Sequence, residues 1–224
     1  MKTGEVTRAE ALVRWIDPEK GMIPIVSFLP SLEENGLIEE VDLCIFEKIC
    51  AQINQWIQKY GRKIHISVNL SRCAFDYRYF FKDYVERYDK SPCPKDCIEF
   101  ELLESIVLNQ VDRVKEVVSE IKDFGFSCSL DDFGSGYSSF SVLTNSDIST
   151  LKIDRSLFRN VTDSREKILL RHVLQTAQEL HMKTVAEGVE TQEYVEFLKE
   201  LDCDYVQGYV YYRPMPPEEF EERF

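Results

Sequence analysis

The chain has 224 residues, 44% hydrophobic and 30% charged, the statistics of a folded protein with a core and not of a disordered or repetitive one. Lys and Arg number 27 against 40 Asp and Glu, a net charge of -13, so the long-range field repels polymeric nucleic acid and anionic membranes, and any phosphate ligand must be held by local cations. With 9 Gly and 8 Pro there is too little flexible material for a long linker, and the length reads as one domain spanning residues 1–224.

Taken in chain order, short β-rich runs alternate with helical segments. Residues 5–15 read as the first strand, stopped by the loop 17–21. Residues 24–35 predict a short helix ending at Gly36, and 38–59 a long amphipathic one ending at Gly61. In 64–70, Ile64, Ile66, Val68 and Leu70 alternate with His65, Ser67 and Asn69, which predicts a strand with one apolar face and a polar one ending in Asn69. A helix over 77–88, a strand over 98–103, a helix over 111–124 stopped by Gly125 and a strand over 127–130 follow. The remaining elements are a glycine-serine loop with a short helical stretch, a strand over 150–153, a helix over 165–180 capped by Ser164 and a strand over 183–186. A helix capped by Thr191, a strand over 204–207 and a short acidic helix from Pro217 end the chain.

No segment reaches the ~20 apolar residues of a membrane helix, and the first ten residues lack a signal-peptide core, so the domain reads as cytoplasmic. The seven cysteines contain no CxxC pair, which argues against structural zinc or a disulfide framework. Cys93 and Cys97, four apart around Pro94, read as loop thiols. Trp15 and Trp56 read as packing residues, the three histidines as structural or surface groups, and Glu218, Glu219, Glu221 and Glu222 as a solvated helix face.

Seven strands separated by helices fit a (β/α) barrel short of one strand, or an open doubly wound sheet. The carboxyl ends of the strands favour the barrel, whose active site is assembled from those ends. They carry Asn69, Glu101 and Glu104, Asp131 and Asp132, Lys152 and Asp154, Glu187 and Glu190, and Gln207, with Glu10 and Arg14 on the first strand. So many carboxylates in one mouth require protonation or cations between them. Oxygen ligands without nearby His or Cys suit Mg²⁺ or Mn²⁺ over zinc, and the Asp131-Asp132 doublet could bridge two ions, with Lys152 and Arg14 complementing a phosphate. An enolase-like lyase would also use carboxylate-bound Mg²⁺ with a lysine base. The residues alone point to a metal-dependent barrel acting on an anionic substrate.

The ordered segments are more specific than any one of them. Glu10-Ala11-Leu12 with Arg14-Trp15, Val68-Asn69-Leu70-Ser71, Glu101-Leu102-Leu103-Glu104-Ser105 and the run from Asp131 through Gly134, Ser135, Gly136, Tyr137 and Ser138 to Ser139 are followed by Leu151-Lys152-Ile153-Asp154-Arg155-Ser156, Ala186-Glu187-Gly188-Val189-Glu190-Thr191 and Gln207-Gly208-Tyr209. Together they resemble the EAL family of bacterial phosphodiesterases, which cut cyclic di-GMP to linear pGpG. The resemblance runs from about Gly4 to Pro214 and implies a TIM-like (β/α)8 barrel. The family's first strand, with a Tyr-Gln-Pro type segment, would precede Lys2-Thr3-Gly4 and is not in this sequence, which accounts for seven strands where eight are expected.

The same resemblance implies roles. Glu10, Asn69, Glu101 and Asp131 match ligands of one metal, Asp131 and Asp132 match the bridging and second-metal ligands, and Glu187 falls in the metal and water cluster as both a metal-site and a catalytic residue, the ions being two Mg²⁺ or Mn²⁺. Lys152 matches the lysine that holds the attacking water, Gln207 the supporting glutamine, and Glu104 the glutamate anchoring the loop after Asp132. Arg14, Asp154, Arg155, Glu190 and Tyr209 fall on the substrate side. Leu103 stands where the family has threonine, and Ser135 replaces the usual loop threonine while keeping a hydroxyl. The implied reaction is in-line attack of activated water on one phosphodiester. The alternative within the family is a cyclic di-GMP receptor or regulatory module without turnover. A homodimer and fused sensory or diguanylate cyclase domains are further implications.

Overall fold

The structure, a computed structural model, describes residues 4–75, 80–136, 143, 147–159 and 164–223. It divides into two compact units, one of residues 7–100 with 123–126, the other of 1–6, 101–122 and 127–224. Strand β5 (Ile98–Leu103) and helix α5 (Val111–Phe124) contribute residues to both.

In the first unit β1 (Arg8–Ala11) lies parallel to β4 (His65–Asn69), in the register Arg8 to His65 and Glu10 to Ser67, and the strand order is β1-β4-β5. The single strand expected over 5–15 is broken: Trp15–Asp17 (β2) leaves the parallel sheet and pairs antiparallel with Gly21–Ile23 (β3), Asp17 opposite Gly21. Asp17 Oδ1 accepts from the amides of Glu19 and Lys20 at 2.9 Å each, which folds the connecting turn.

Helices α1 (Ile25–Glu34), α2 (Ile38–Tyr60) and α3 (Phe80–Lys90) complete this unit. α2 buries Ile38, Leu43, Phe46, Ile49, Cys50, Ile53 and Trp56, one stripe at helical spacing, and stops where Gly61 takes φ 66° and donates to the Ile57 carbonyl at 2.9 Å. The core is aromatic: Phe100 packs against Phe46 at 5.6 Å, Tyr84 at 5.2 Å and Phe126 at 5.6 Å between ring centroids. The polar face expected for β4 is covered, since Ser67 is buried along with Ile66 and Val68 while Asn69 alone is exposed; a parallel strand is packed on both faces. Cys93 and Cys97, expected as loop thiols, are buried: Cys93 lies in irregular structure and Cys97 ends a short 3-10 turn.

The second unit carries the order β5-β6-β7-β8-β9, with β6 at Ser127–Phe133, β7 at Thr150–Ile153, β8 at Lys183–Ala186 and β9 at Tyr205–Val206. The β6-β7, β7-β8 and β8-β9 pairs are parallel. Besides its part of α5 it holds α4 (Glu104–Asn109), α6 (Ser164–Glu179), α7 (Gln192–Glu200) and α8 (Pro217–Phe220). Its core is mainly aliphatic, from Leu130, Leu151 and Ile153 on the strands and Val114, Val117, Leu170, Leu174, Val195 and Leu198 on the helices, with Phe133 and Phe158 buried among them. α4 was not predicted from sequence, because Leu103 runs straight into it with no side-chain cap. Thr191 stands at the cap position of α7 without a side-chain hydrogen bond, and Ser164 is the first residue of α6. The expected helix start over 77–79, the loop residues Tyr137, Ser138 and Ser139 and most of the short helical stretch after them lie outside the described residues. No helix among the described residues is long and apolar enough to cross a membrane.

Candidate functional site

In the second unit one lysine sits among carboxylates at the carboxyl ends of adjacent strands. Lys152 on β7 is 3% exposed, and its Nζ lies 2.5 Å from Glu101 Oε1, 2.8 Å from Asp131 Oδ1 and 2.9 Å from Glu187 Oε1. Glu101 is the fourth residue of β5, Asp131 the fifth of β6, and Glu187 follows the last residue of β8. The register puts Lys152 opposite Val185, and the Glu187 amide donates to the Ile153 carbonyl at 3.0 Å, so the backbone delivers these groups to one level.

The doublet Asp131-Asp132 needs a special device. In a regular strand consecutive side chains point to opposite faces. The register of β6 against β7 shifts between Leu130 and Phe133, and Asp132 takes φ 57°, a left-handed conformation costly for a non-glycine residue. This bulge turns both aspartates the same way. One carboxylate oxygen from each of Asp131, Asp132 and Glu187 then falls within 4.8 Å of the other two.

One ammonium does not neutralise that many carboxylates. Burial pushes the Glu187 carboxyl up to about 9; Lys152 pulls against this, and the negative charges of Asp131 and Glu101 add to it. Hard oxygen donors at this spacing fit a hard divalent cation, whose charge would let every carboxylate ionise.

The other sequence-selected residues are placed as follows. Glu104, buried at the start of α4, accepts through Oε2 from the Gly134 amide at 3.3 Å. Gln207 follows β9; its amide donates to the Ala186 carbonyl at 2.9 Å, and its carbonyl accepts from Val189 at 3.2 Å. Asp154 Oδ1 accepts from the Ser156 amide at 2.8 Å, and Arg155 Nη1 pairs with Glu190 Oε1 at 2.5 Å, both half exposed. Tyr209 is exposed, with the Arg213 guanidinium 4.2 Å from its ring centre. In the first unit Asn69 Nδ2 donates to Glu10 Oε1 at 3.0 Å, and Arg14 Nη1 to the Val13 carbonyl at 2.7 Å. Glu99, on the same strand as Glu101, is buried and ion-paired with Arg8. Sequence reasoning carried Ser156 and Gly188 only as members of matched segments, with no role of their own, and did not single out Leu157, which closes over Gly134; a loop residue's contact with a distant segment leaves no local signal.

Residues 1–214 match the family model described as "EAL domain". The chain belongs to the EAL domain family. It is 31% identical over 220 residues to the Pseudomonas aeruginosa protein named cyclic di-GMP phosphodiesterase NbdA, covering 98% of this chain and 28% of that protein. It is 33% identical over 222 residues to Escherichia coli cyclic di-GMP phosphodiesterase PdeR, covering 97% and 33%. The chain therefore spans about a third or less of the curated relatives it matches. Among solved structures, the PaMucR phosphodiesterase in complex with c-di-GMP superimposes with a TM-score of 0.86 at 32% identity, over 94% of this chain and 86% of that one. The fold is the α/β, TIM-like barrel class of these EAL structures, with seven parallel strands described here in the order above.

Proposed function

We propose that this EAL domain, read as one domain over residues 1–224, is a metal-dependent phosphodiesterase that hydrolyses cyclic di-GMP to linear pGpG. The observation that supports it most is the buried Lys152 ammonium within 2.9 Å of three carboxylates, two of them beside Asp132 in a cation-sized group. A structural ion pair needs one carboxylate per lysine; this arrangement holds an excess of negative charge that protonation or a bound cation must relieve.

Asp131, Asp132, Glu187 and Glu101 would hold divalent ions, and Glu10 with Asn69 are proposed as ligands of one ion on the family resemblance. When bound, the ions supply Lewis acidity and a countercharge for the phosphate. Lys152 has three donors; with the carboxylates charge-satisfied, one is available to orient a water oxygen at the phosphorus. That oxygen forms the new P–O bond as the P–O3′ bond breaks, and the leaving oxygen takes a proton to give the free 3′ hydroxyl of pGpG. The attacking water gives up a proton to a carboxylate of the cluster or to solvent as the leaving oxygen takes one, so the step balances in protons. Gln207 and Glu104 support the loops, while Arg14 and Tyr209 are proposed on the nucleotide side.

The test is incubation of the protein with cyclic di-GMP and Mg²⁺ or Mn²⁺, with nucleotides separated chromatographically. Formation of pGpG that stops on chelation is expected. Binding of cyclic di-GMP with no pGpG would replace the hydrolase by a receptor, and neither binding nor turnover would remove both readings.

A further inference from the structure

Directly after Lys152 and Ile153 comes a single turn of 3-10 helix, Arg155–Phe158, with Asp154 as its cap. The turn is tied to the end of β6 by the Asp154 amide, which donates to the Phe133 carbonyl at 3.0 Å. One side of it closes on the segment leaving Asp131 and Asp132. Ser156 Oγ donates to the Gly134 carbonyl at 2.7 Å, and Leu157 lies so close over Gly134 that a Cβ there would fall 2.3 Å from Leu157 Cδ1. The other side closes on the segment leaving Glu187. The Arg155 stem covers Gly188, where a Cβ would stand 3.2 Å from Arg155 Cβ, and the guanidinium reaches Glu190.

These contacts are poorly explained by stability alone. A half-exposed ion pair contributes ~0.2–1 kcal/mol, and Ser156 spends its hydroxyl on a loop carbonyl. What both sides share is a strained or glycine backbone next to a carboxylate: Asp132 at φ 57° with Gly134 at φ 98°, and Glu187 with Gly188 at φ 64°. Mutually repelling carboxylates keep a short spacing only if their backbones are held from outside.

We propose that the turn Asp154–Phe158 is a brace joining the Asp132–Gly134 segment to the Glu187–Glu190 segment, so that Ser156, Leu157 and Arg155 set the spacing of the Asp131, Asp132 and Glu187 carboxylates and hence the affinity for a divalent cation. The proposal rests on the reading of the cluster as a cation site. Ser156, Leu157 and Arg155 are positioning residues that act through Gly134, Gly188 and Glu190.

The experiment titrates Mn²⁺ into the nucleotide-free protein and follows the free ion by electron paramagnetic resonance, with pGpG formation measured in parallel. Ser156→Ala and Glu190→Ala loosen opposite sides of the brace, and their side chains bind different segments. Each is expected to weaken Mn²⁺ binding about 10-fold, the scale of groups that orient metal ligands. The double variant is expected to weaken it clearly less than the product of the two, because the second side is already slack once the first is released. Ser156→Thr, which keeps the hydroxyl, is expected to bind like the parent; should Ser156→Ala unfold, Leu157→Ala, on the same side of the brace, replaces it, with weakened Mn²⁺ binding expected from a folded protein. Unchanged affinities in these variants, or effects that multiply fully, overturn the brace. Coupled Mn²⁺ affinities without any pGpG would remove the hydrolase and leave the brace; pGpG formation with uncoupled affinities would do the reverse.

Discussion

The two units bury their most distinctive side chains by opposite rules. In the first, Phe46, Phe81, Tyr84, Phe100 and Phe126 meet edge to face or stacked, and each ring adds to the others' stability. In the second, Glu101, Asp131, Lys152 and Glu187 meet at hydrogen-bonding distance, and most of the gain from each attraction is cancelled by desolvation and like-charge repulsion. An aromatic core explains itself by folding. A charged core with surplus carboxylate is not explained by folding.

That contrast can be broken most forcefully at Lys152. Lys152→Met keeps the length and removes the charge, leaving Glu101, Asp131 and Glu187 facing each other; loss of turnover and destabilisation by about 3–5 kcal/mol in chelator are expected. Addition of Mn²⁺ should restore much of that stability in a melting experiment, and a variant as stable as the parent in chelator would refute the surplus-charge argument. Phe100→Ala should cost a similar ~3–5 kcal/mol by leaving a cavity among its ring neighbours, but Mn²⁺ should not rescue it beyond the increment seen in the parent.

A smaller effect is expected at Gly208. A Cβ there would stand 2.1 Å from the Val189 carbonyl oxygen, a backbone atom that cannot swing aside. Gly208→Ala should cost about 1–3 kcal/mol in denaturant unfolding and displace Gln207, whose carbonyl holds the Val189 amide.

The smallest predicted effect lies at Asp42, which accepts from the Ser71 amide at 3.3 Å. Burial raises its carboxyl from 3.8 to about 6, the hydrogen bonds from Ser71 partly opposing this. The folded-state value exceeds the unfolded one, so the protonated group favours folding below about pH 3.8 and this contribution is lost as the pH rises through 6. Asp42→Asn should therefore gain ~1 kcal/mol at pH 8, well under the ~3 kcal/mol that the full shift would give because the carboxyl keeps part of its contact with water, and nothing at pH 3.5. Equal stability of the two proteins across that range would contradict the burial argument.

Much of the fold follows from local pattern. Gly61 and Gly125 end the helices they were expected to end, and the strands β4, β5, β7 and β8 lie within a residue or two of their apolar runs. The break between β1 and β2 escaped, because residues 5–15 have strand character throughout and only pairing partners divide them. The cluster was legible as residue types at strand ends: Glu101, Asp131, Asp132, Lys152 and Glu187 were all selected. Its shape was not, because a bulge that turns two consecutive aspartates one way is a matter of register between strands.

By itself, then, the order of residues determined the alternation of strands and helices and the chemical character of each strand's end, since both depend on neighbours a few positions apart. Only the tertiary structure decided that Lys152 faces three carboxylates at once, that Glu99 pairs with Arg8 while Glu101 turns to Lys152, and that Arg155 and Glu190 engage each other. Those outcomes depend on groups separated by 21 (Lys152 and Asp131) to 91 (Arg8 and Glu99) positions along the chain, whose meeting is fixed by strand register and packing and by nothing local to any of them.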